Sequence, residues 1–128
     1  MKKFILIILV LILGNPAGKL VKPFEEKINK TLVAREINMW QYIGEFKITF
    51  YWLSENGRST STGAVATEGR TIAVDPSVIP YGTEVLIDGH VYIAEDCGGA
   101  VKGNVIDIFV EDERMEMYYT DVYVRKEK

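Results

Sequence analysis

Apolar and polar positions divide the chain into three textures. Behind Lys2 and Lys3, residues Phe4 to Gly14 form an unbroken apolar run, ended by Asn15 and Pro16. Lys19 to Gln41 is rich in charge, with Phe24, Ile28, Leu32 and Val33 at near-helical spacing. Pro23 ahead of Glu25 and Glu26 suits a helix start. This stretch predicts a short amphipathic helix or a loosely ordered spacer. From Gly44 the period changes to two: Phe46, Ile48, Phe50 and Trp52 alternate with Lys47, Thr49 and Tyr51, the pattern of a half-buried strand.

Further short apolar stretches follow at Thr71–Val74, Glu84–Ile87, His90–Ala94, Val105–Val110 and Asp121–Arg125, each bounded by turn residues. Ser54 to Gly63 reads as a loop. Asp88-Gly89 between two alternating runs predicts a hairpin with a type I′ turn, which needs positive φ at both central positions. Asp112 to Tyr119 has the composition for one or two helical turns. The expectation is an all-β domain of about six short strands, closed into a small barrel or sandwich because closure removes exposed edges.

Length and composition narrow this picture. The chain has 128 residues, 48% hydrophobic and 26% charged, room for one ordinary folded domain. A net charge of -3 and a pI near 5.2 supply no basic stripe for phosphates, which excludes a nucleic-acid partner. The apolar run near the N-terminus is about half the roughly 20 residues needed to cross a bilayer as a helix. With its positive start and following small residues it reads as a signal peptide or an uncleaved anchor over residues 1–18. Residues 19–43 are then a linker and 44–128 the folded domain, secreted or membrane-anchored and facing the cell envelope. Any membrane contact would run through that anchor. Cys97 is the single cysteine, so no internal disulfide can form.

Three aspartates are the candidate chemistry. Asp107 sits inside Val105–Val110, and Asp96 closes an apolar strand ahead of Cys97-Gly98-Gly99. Apolar surroundings and a neighbouring carboxylate both favour a protonated acid, the state a general acid requires. Against this stands the ordinary role of Asp as an acceptor for backbone N–H groups in turns, most natural for Asp75 before Pro76. No metal or cofactor is expected, since Ca²⁺-loop spacing is absent and His90 has no ligand partners.

Four consecutive stretches carry more. Gly69 to Pro76, Val78 to Thr83, Ala94 to Asn104 and Ile106 to Val110 together resemble the 3D (three-aspartate) domain family. That family occurs in bacterial cell-wall enzymes of the membrane-bound lytic transglycosylase A type and in stationary-phase muralytic proteins. Asp75, Asp96 and Asp107 match its aspartates, spaced 21 and 11 positions apart (75 to 96, 96 to 107). The resemblance implies a six-stranded double-psi β-barrel. It also implies cleavage of peptidoglycan glycan strands between N-acetylmuramic acid and N-acetylglucosamine, leaving 1,6-anhydro ends. Asp107 would be the acid/base, with Asp96 tuning or orienting it, while Asp75 shapes a loop. Thr62 and Lys102 match groove-lining steps, and Gly98 and Gly99 would admit the sugar or adopt positive φ. Cys97 departs from the pattern, which has Thr there, and a thiol is a weaker donor. The alternative is a non-catalytic polysaccharide-binding module of the expansin-like type, with Tyr51, Trp52 and Tyr81 as stacking platforms. The sequence leaves the oligomeric state open.

Overall fold

A computed structural model describes residues 23–53 and 57–127. The expected signal or anchor segment, residues 1–18, lies outside the described residues. Helix α1 spans Pro23–Met39. Pro23 suits its first position, where a missing N–H costs nothing and the fixed φ is already helical. The helix belongs to one compact unit of the chain, and residues Tyr42–Arg125 form the other.

Six strands follow: β1 Trp40–Tyr51, β2 Thr71–Ala73, β3 Glu84–Ile87, β4 His90–Asp96, β5 Val105–Phe109 and β6 Tyr118–Arg125. They close into one barrel in the order β1-β5-β2-β4-β3-β6, so no sheet edge is left open. Pairing is mixed. β1–β5 and β2–β4 run parallel, whereas β2–β5, β3–β4 and β3–β6 run antiparallel. The alternation left a barrel or a sandwich open and the family resemblance implied a barrel; the chain forms a closed six-stranded barrel.

The two-residue period decides what lies inside. Phe46 and Ile48 of β1, Ile72 of β2, Val85 and Ile87 of β3, Ala94 of β4, Ile106 and Ile108 of β5 and Val122 of β6 fill the core. Each fully buried Ile or Phe contributes on the order of 1.5–3 kcal/mol relative to exposure. The intervening residues of β1 and β5, Thr49, Tyr51, Asp107 and Phe109, therefore share the outer face. The β3–β4 hairpin turns at Asp88 and Gly89, with φ of 50° and 79°, and Ile87 faces His90 across it. These are the signs a type I′ turn requires.

Two local expectations fail. Residues 112–117 hold no helical turn; they are exposed, and the chain re-enters the barrel at Tyr118. Arg114 instead stacks over the Phe50 ring, 4.1 Å from its centroid, and pairs with Glu116 two residues on, a spacing that does not bring side chains together on a helix. Trp52 lies past the end of β1 and is only partly buried, so it is not the next core residue.

Candidate active site on the outer face of the barrel

Strand register brings two of the three aspartates together. Thr49 pairs with Asp107 across β1–β5, Asp107 with Ala73 across β5–β2, and Ala73 with Asp96 across β2–β4. One row thus runs Thr49, Asp107, Ala73, Asp96 over four adjacent strands. The two aspartates are two strand spacings apart, roughly 9–10 Å between Cα atoms. The residue between them, Ala73, is small and buried, and the Tyr51 hydroxyl reaches Asp96 from the β1 side of the row.

Asp96 reaches this face only through an irregularity. Thr71 pairs with Ile93 and Ile72 with Ala94, but Ala73 pairs with Asp96, so Glu95 is an extra residue in β4. Such a bulge re-aims the side chain that follows it. Ala94 points into the core, and both Glu95 and Asp96 then point outward. The bulge is well supported. Glu95 is buried and accepts Arg70 Nη2 at 2.7 Å, Arg70 Nε at 3.0 Å and Thr71 Oγ1 at 2.9 Å. Its backbone carbonyl receives the Thr62 N–H at 3.3 Å, and the Asp96 carbonyl receives the Val74 N–H at 2.9 Å.

The two carboxylates of the row live in different surroundings. Asp96 is engaged at both oxygens. Oδ1 accepts the Ser61 N–H at 2.9 Å, the Ser61 hydroxyl at 2.8 Å and the Cys97 N–H at 2.9 Å, and Oδ2 accepts the Tyr51 hydroxyl at 3.0 Å. Asp107 accepts one donor among the described residues, the Thr49 hydroxyl, at 3.0 Å on Oδ1. Loss of solvent pushes the Asp107 carboxyl above its ordinary range, the Thr49 hydrogen bond pulls against that, and the Asp96 charge pushes the same way as burial. The Tyr51 phenol is likewise raised, by burial and by Asp96, which keeps it a neutral donor. Its ring meets Phe109 edge-on at 5.4 Å, which fixes the hydroxyl over the row.

Asp75 is elsewhere in chemical terms. Its Oδ1 accepts the Ser77 N–H at 3.0 Å and the Ser77 hydroxyl at 2.7 Å, and its Oδ2 accepts the Gly103 N–H at 2.8 Å. These donors, the Gly103 N–H foremost and Lys102 adding charge, lower its carboxyl to about 2. Asp75 thereby ties the end of β2 to the loop before β5. Gly103, with φ +65°, adopts the left-handed backbone that aims its N–H at Asp75.

The remaining expected residues flank the row. Thr62 is exposed and shares a hydroxyl contact with Thr60 at 3.1 Å, in the turn where the Gly63 N–H meets the Thr60 carbonyl at 3.0 Å. Lys102 is exposed beside Gly103. Gly98 and Gly99 do not have positive φ; a Cβ at Gly98 would lie 3.2 Å from the Val101 Cγ2, a tight contact. Position 97 also acts differently from expectation. Its backbone N–H supports Asp96, and its thiol lies 3.1 Å from the Ser61 hydroxyl oxygen. With the Ser61 proton directed at Asp96, Cys97 is the donor in that contact. No hydroxyl is needed at 97 to hold Asp96.

Thr49, Ser61 and Glu95 escaped the sequence reading. Thr49 and Tyr51 carried a signal, since they share the outward phase of β1 with each other. Ser61 carried none, because its contact with Asp96 spans 35 residues.

Residues 70–119 match the model of the 3D domain. Among curated proteins, the chain is 38% identical over 91 residues to the putative cell wall shaping protein YabE of Bacillus subtilis (strain 168), covering 66% of this chain and 22% of YabE. It is 44% identical over 68 residues to the cell wall-binding protein YocH of the same organism, covering 48% of this chain and 24% of YocH. The chain thus spans less than a quarter of the length of either relative. Among solved structures it is similar to MltA from Escherichia coli, at 24% identity and a TM-score of 0.47, over 58% of this chain and 29% of MltA.

Proposed function

This chain carries a 3D domain at residues 70–119, and from that premise we propose that it is a peptidoglycan lytic transglycosylase working through Asp107. The observation that carries the reading is the unequal hydrogen bonding of two neighbouring carboxylates. Asp96 is engaged by four donor contacts and Asp107 by one. A half-buried, under-bonded carboxyl beside a second carboxylate holds its proton to higher pH, as a general acid must. The cell-wall shaping and cell-wall binding descriptions of the two relatives support peptidoglycan as the partner and a location outside the cytoplasm, at the wall.

The proposed reaction needs one acid. Asp107 gives its proton to the glycosidic oxygen between N-acetylmuramic acid and N-acetylglucosamine as the C1–O bond breaks. Positive charge develops at C1, and the newly formed Asp107 carboxylate accepts the proton of the sugar's own C6 hydroxyl. O6 then bonds to C1, closing a 1,6-anhydro ring and returning the proton to Asp107. The tethered hydroxyl supplies proximity in place of an activated water, so the second positioned carboxylate of an inverting hydrolase has no task here. Asp96 acts as a fixed anion that raises Asp107 and favours the positive charge at C1.

The test is digestion of purified peptidoglycan by the full chain, wild type beside Asp107→Asn, with products read by mass spectrometry. Anhydro-muropeptides from the wild type alone support the reading. Reducing ends would mean hydrolysis, and glycan bound by both proteins without cleavage would mean a binding module.

A further inference from the structure

We propose that Thr49 is a positioning residue that reserves Oδ1 of Asp107, so that Oδ2 is the oxygen that gives and regains the proton. The inference rests on the transglycosylase reading, which asks one carboxyl group to be acid and base in the same turnover.

The Thr49 hydroxyl has two acceptors in reach, Asp107 Oδ1 at 3.0 Å and the Ile106 carbonyl at 3.4 Å. A hydroxyl has one proton to donate, so these two compete for it. Thr49 and Asp107 are register partners on parallel strands, which fixes their backbones. The branched Thr side chain is stiff at χ1, which fixes the hydroxyl oxygen between the two acceptors. Among the described residues no hydrogen bond reaches Oδ2.

The consequence follows from acceptor strength. With the proton on Oδ2, Oδ1 is a neutral carbonyl oxygen and competes with Ile106 on similar terms. Once Oδ2 has given its proton to the leaving oxygen, Oδ1 shares a negative charge. Hydrogen bonds to ionised acceptors are about twice as strong as neutral ones, so the Thr49 proton commits to Asp107. The bond strengthens as charge develops and weakens as the proton returns, which is stabilisation specific to the transition state. The other titratable groups facing Asp107 are Asp96 on β4 and Tyr51 on β1; the β2 neighbour is Ala73, which brings none.

The experiment pairs activity with carboxyl NMR on the full chain. In wild type, the ¹³C titration of Asp107 is assigned by its loss in Asp107→Asn. In Thr49→Val, which keeps the branch and removes the donor, the midpoint of Asp107 moves to higher pH. Thr49→Ser returns it. Anhydro-muropeptide production falls about tenfold or more in Thr49→Val, the size of a hydrogen bond to a charged group, mostly in kcat, and recovers in Thr49→Ser. An unmoved Asp107 midpoint in Thr49→Val overturns the proposal. Should that variant not fold, Thr49→Ala gives the same decision on the same signal. A moved midpoint in a protein that never cleaves peptidoglycan leaves Thr49 holding Asp107 and overturns the transglycosylase reading instead.

Discussion

Asp75 and Asp107 belong to one motif and behave in opposite ways. Around Asp75 the chain turns, and turning exposes backbone N–H groups: Ser77 and Gly103 both donate to it, and its carboxyl falls to about 2. Around Asp107 the chain is a regular strand whose N–H and C=O groups are occupied by β1 and β2. A carboxylate on such a strand finds no spare backbone donor. It must rely on a neighbouring side chain, and Thr49 is the one donor it has among the described residues. Several donors without burial lower a carboxyl, and burial with a single donor raises one.

The strongest way to break this contrast is Asp107→Asn. Loss of a general acid costs on the order of 10²–10⁴ in rate, so anhydro-muropeptide production should disappear from a digest. Stability should move the other way. A carboxyl raised in the folded state is penalised once pH rises above its unfolded value, with the full penalty above its folded value. The variant should therefore melt at a higher temperature than wild type at pH 7. The gap should narrow as pH falls towards about 4 and be closed below it, where both states of wild type are protonated.

Glu95 sharpens the comparison from a third direction, because it is buried and also fully paired. Glu95→Ala leaves the buried Thr71 hydroxyl without this acceptor and removes the Arg70 contact. A stranded buried hydroxyl costs about 1–3 kcal/mol, readable as a lower midpoint in urea unfolding with an unchanged slope.

Asp75→Ala should lower the melting temperature at neutral pH. The sign of its pH dependence is fixed by a depressed carboxyl. The stability it contributes is complete above its unfolded value near 4 and is lost as pH falls through about 2. The melting curves of wild type and variant should converge across that window, opposite in sense to the Asp107 pair. Parallel curves down to pH 2 would remove the claim that Gly103 and Ser77 hold this carboxylate.

The smallest effect belongs to Cys97→Thr. Since the backbone N–H at 97 and the Ser61 side chain support Asp96, restoring a hydroxyl should change cleavage by no more than about twofold. A large gain would mean that the side chain at 97 touches the glycan.

How far the sequence carried is clearest at β1 and β4. In β1 the alternation from Phe46 to Tyr51 identified the core face and, by subtraction, the outer face where Thr49 and Tyr51 stand. The same logic placed the Asp88-Gly89 turn, because two positive φ angles have few sequence solutions. In β4 it could not work. Strict alternation from the core residue Ala94 would send Asp96 inward, and nothing in the order of residues marks Glu95 as the insertion. The buried Glu95 at the bulge is held by Arg70 and Thr71, more than 20 residues away, one an exposed guanidinium and the other a buried hydroxyl. For Asp107, a run of apolar neighbours suggested burial; Ile106 and Ile108 take the core, and Asp107 is half-buried on the opposite face. The composition of Asp112 to Tyr119 suits a helical turn, yet the chain runs from the end of β5 at Phe109 to the start of β6 at Tyr118 without one.

The single extra residue in β4 has a consequence for what the strand can offer. An ordinary strand gives each of its surfaces every second residue, so adjacent positions always serve opposite sides. At Glu95 and Asp96 that parity is broken, and two successive acidic side chains work on the same surface. One is spent inward along the surface on Arg70 and Thr71, while the other stands over the row with Asp107. The scaffolding and the charge it supports are thus one peptide bond apart, and neither had to be carried by a separate loop.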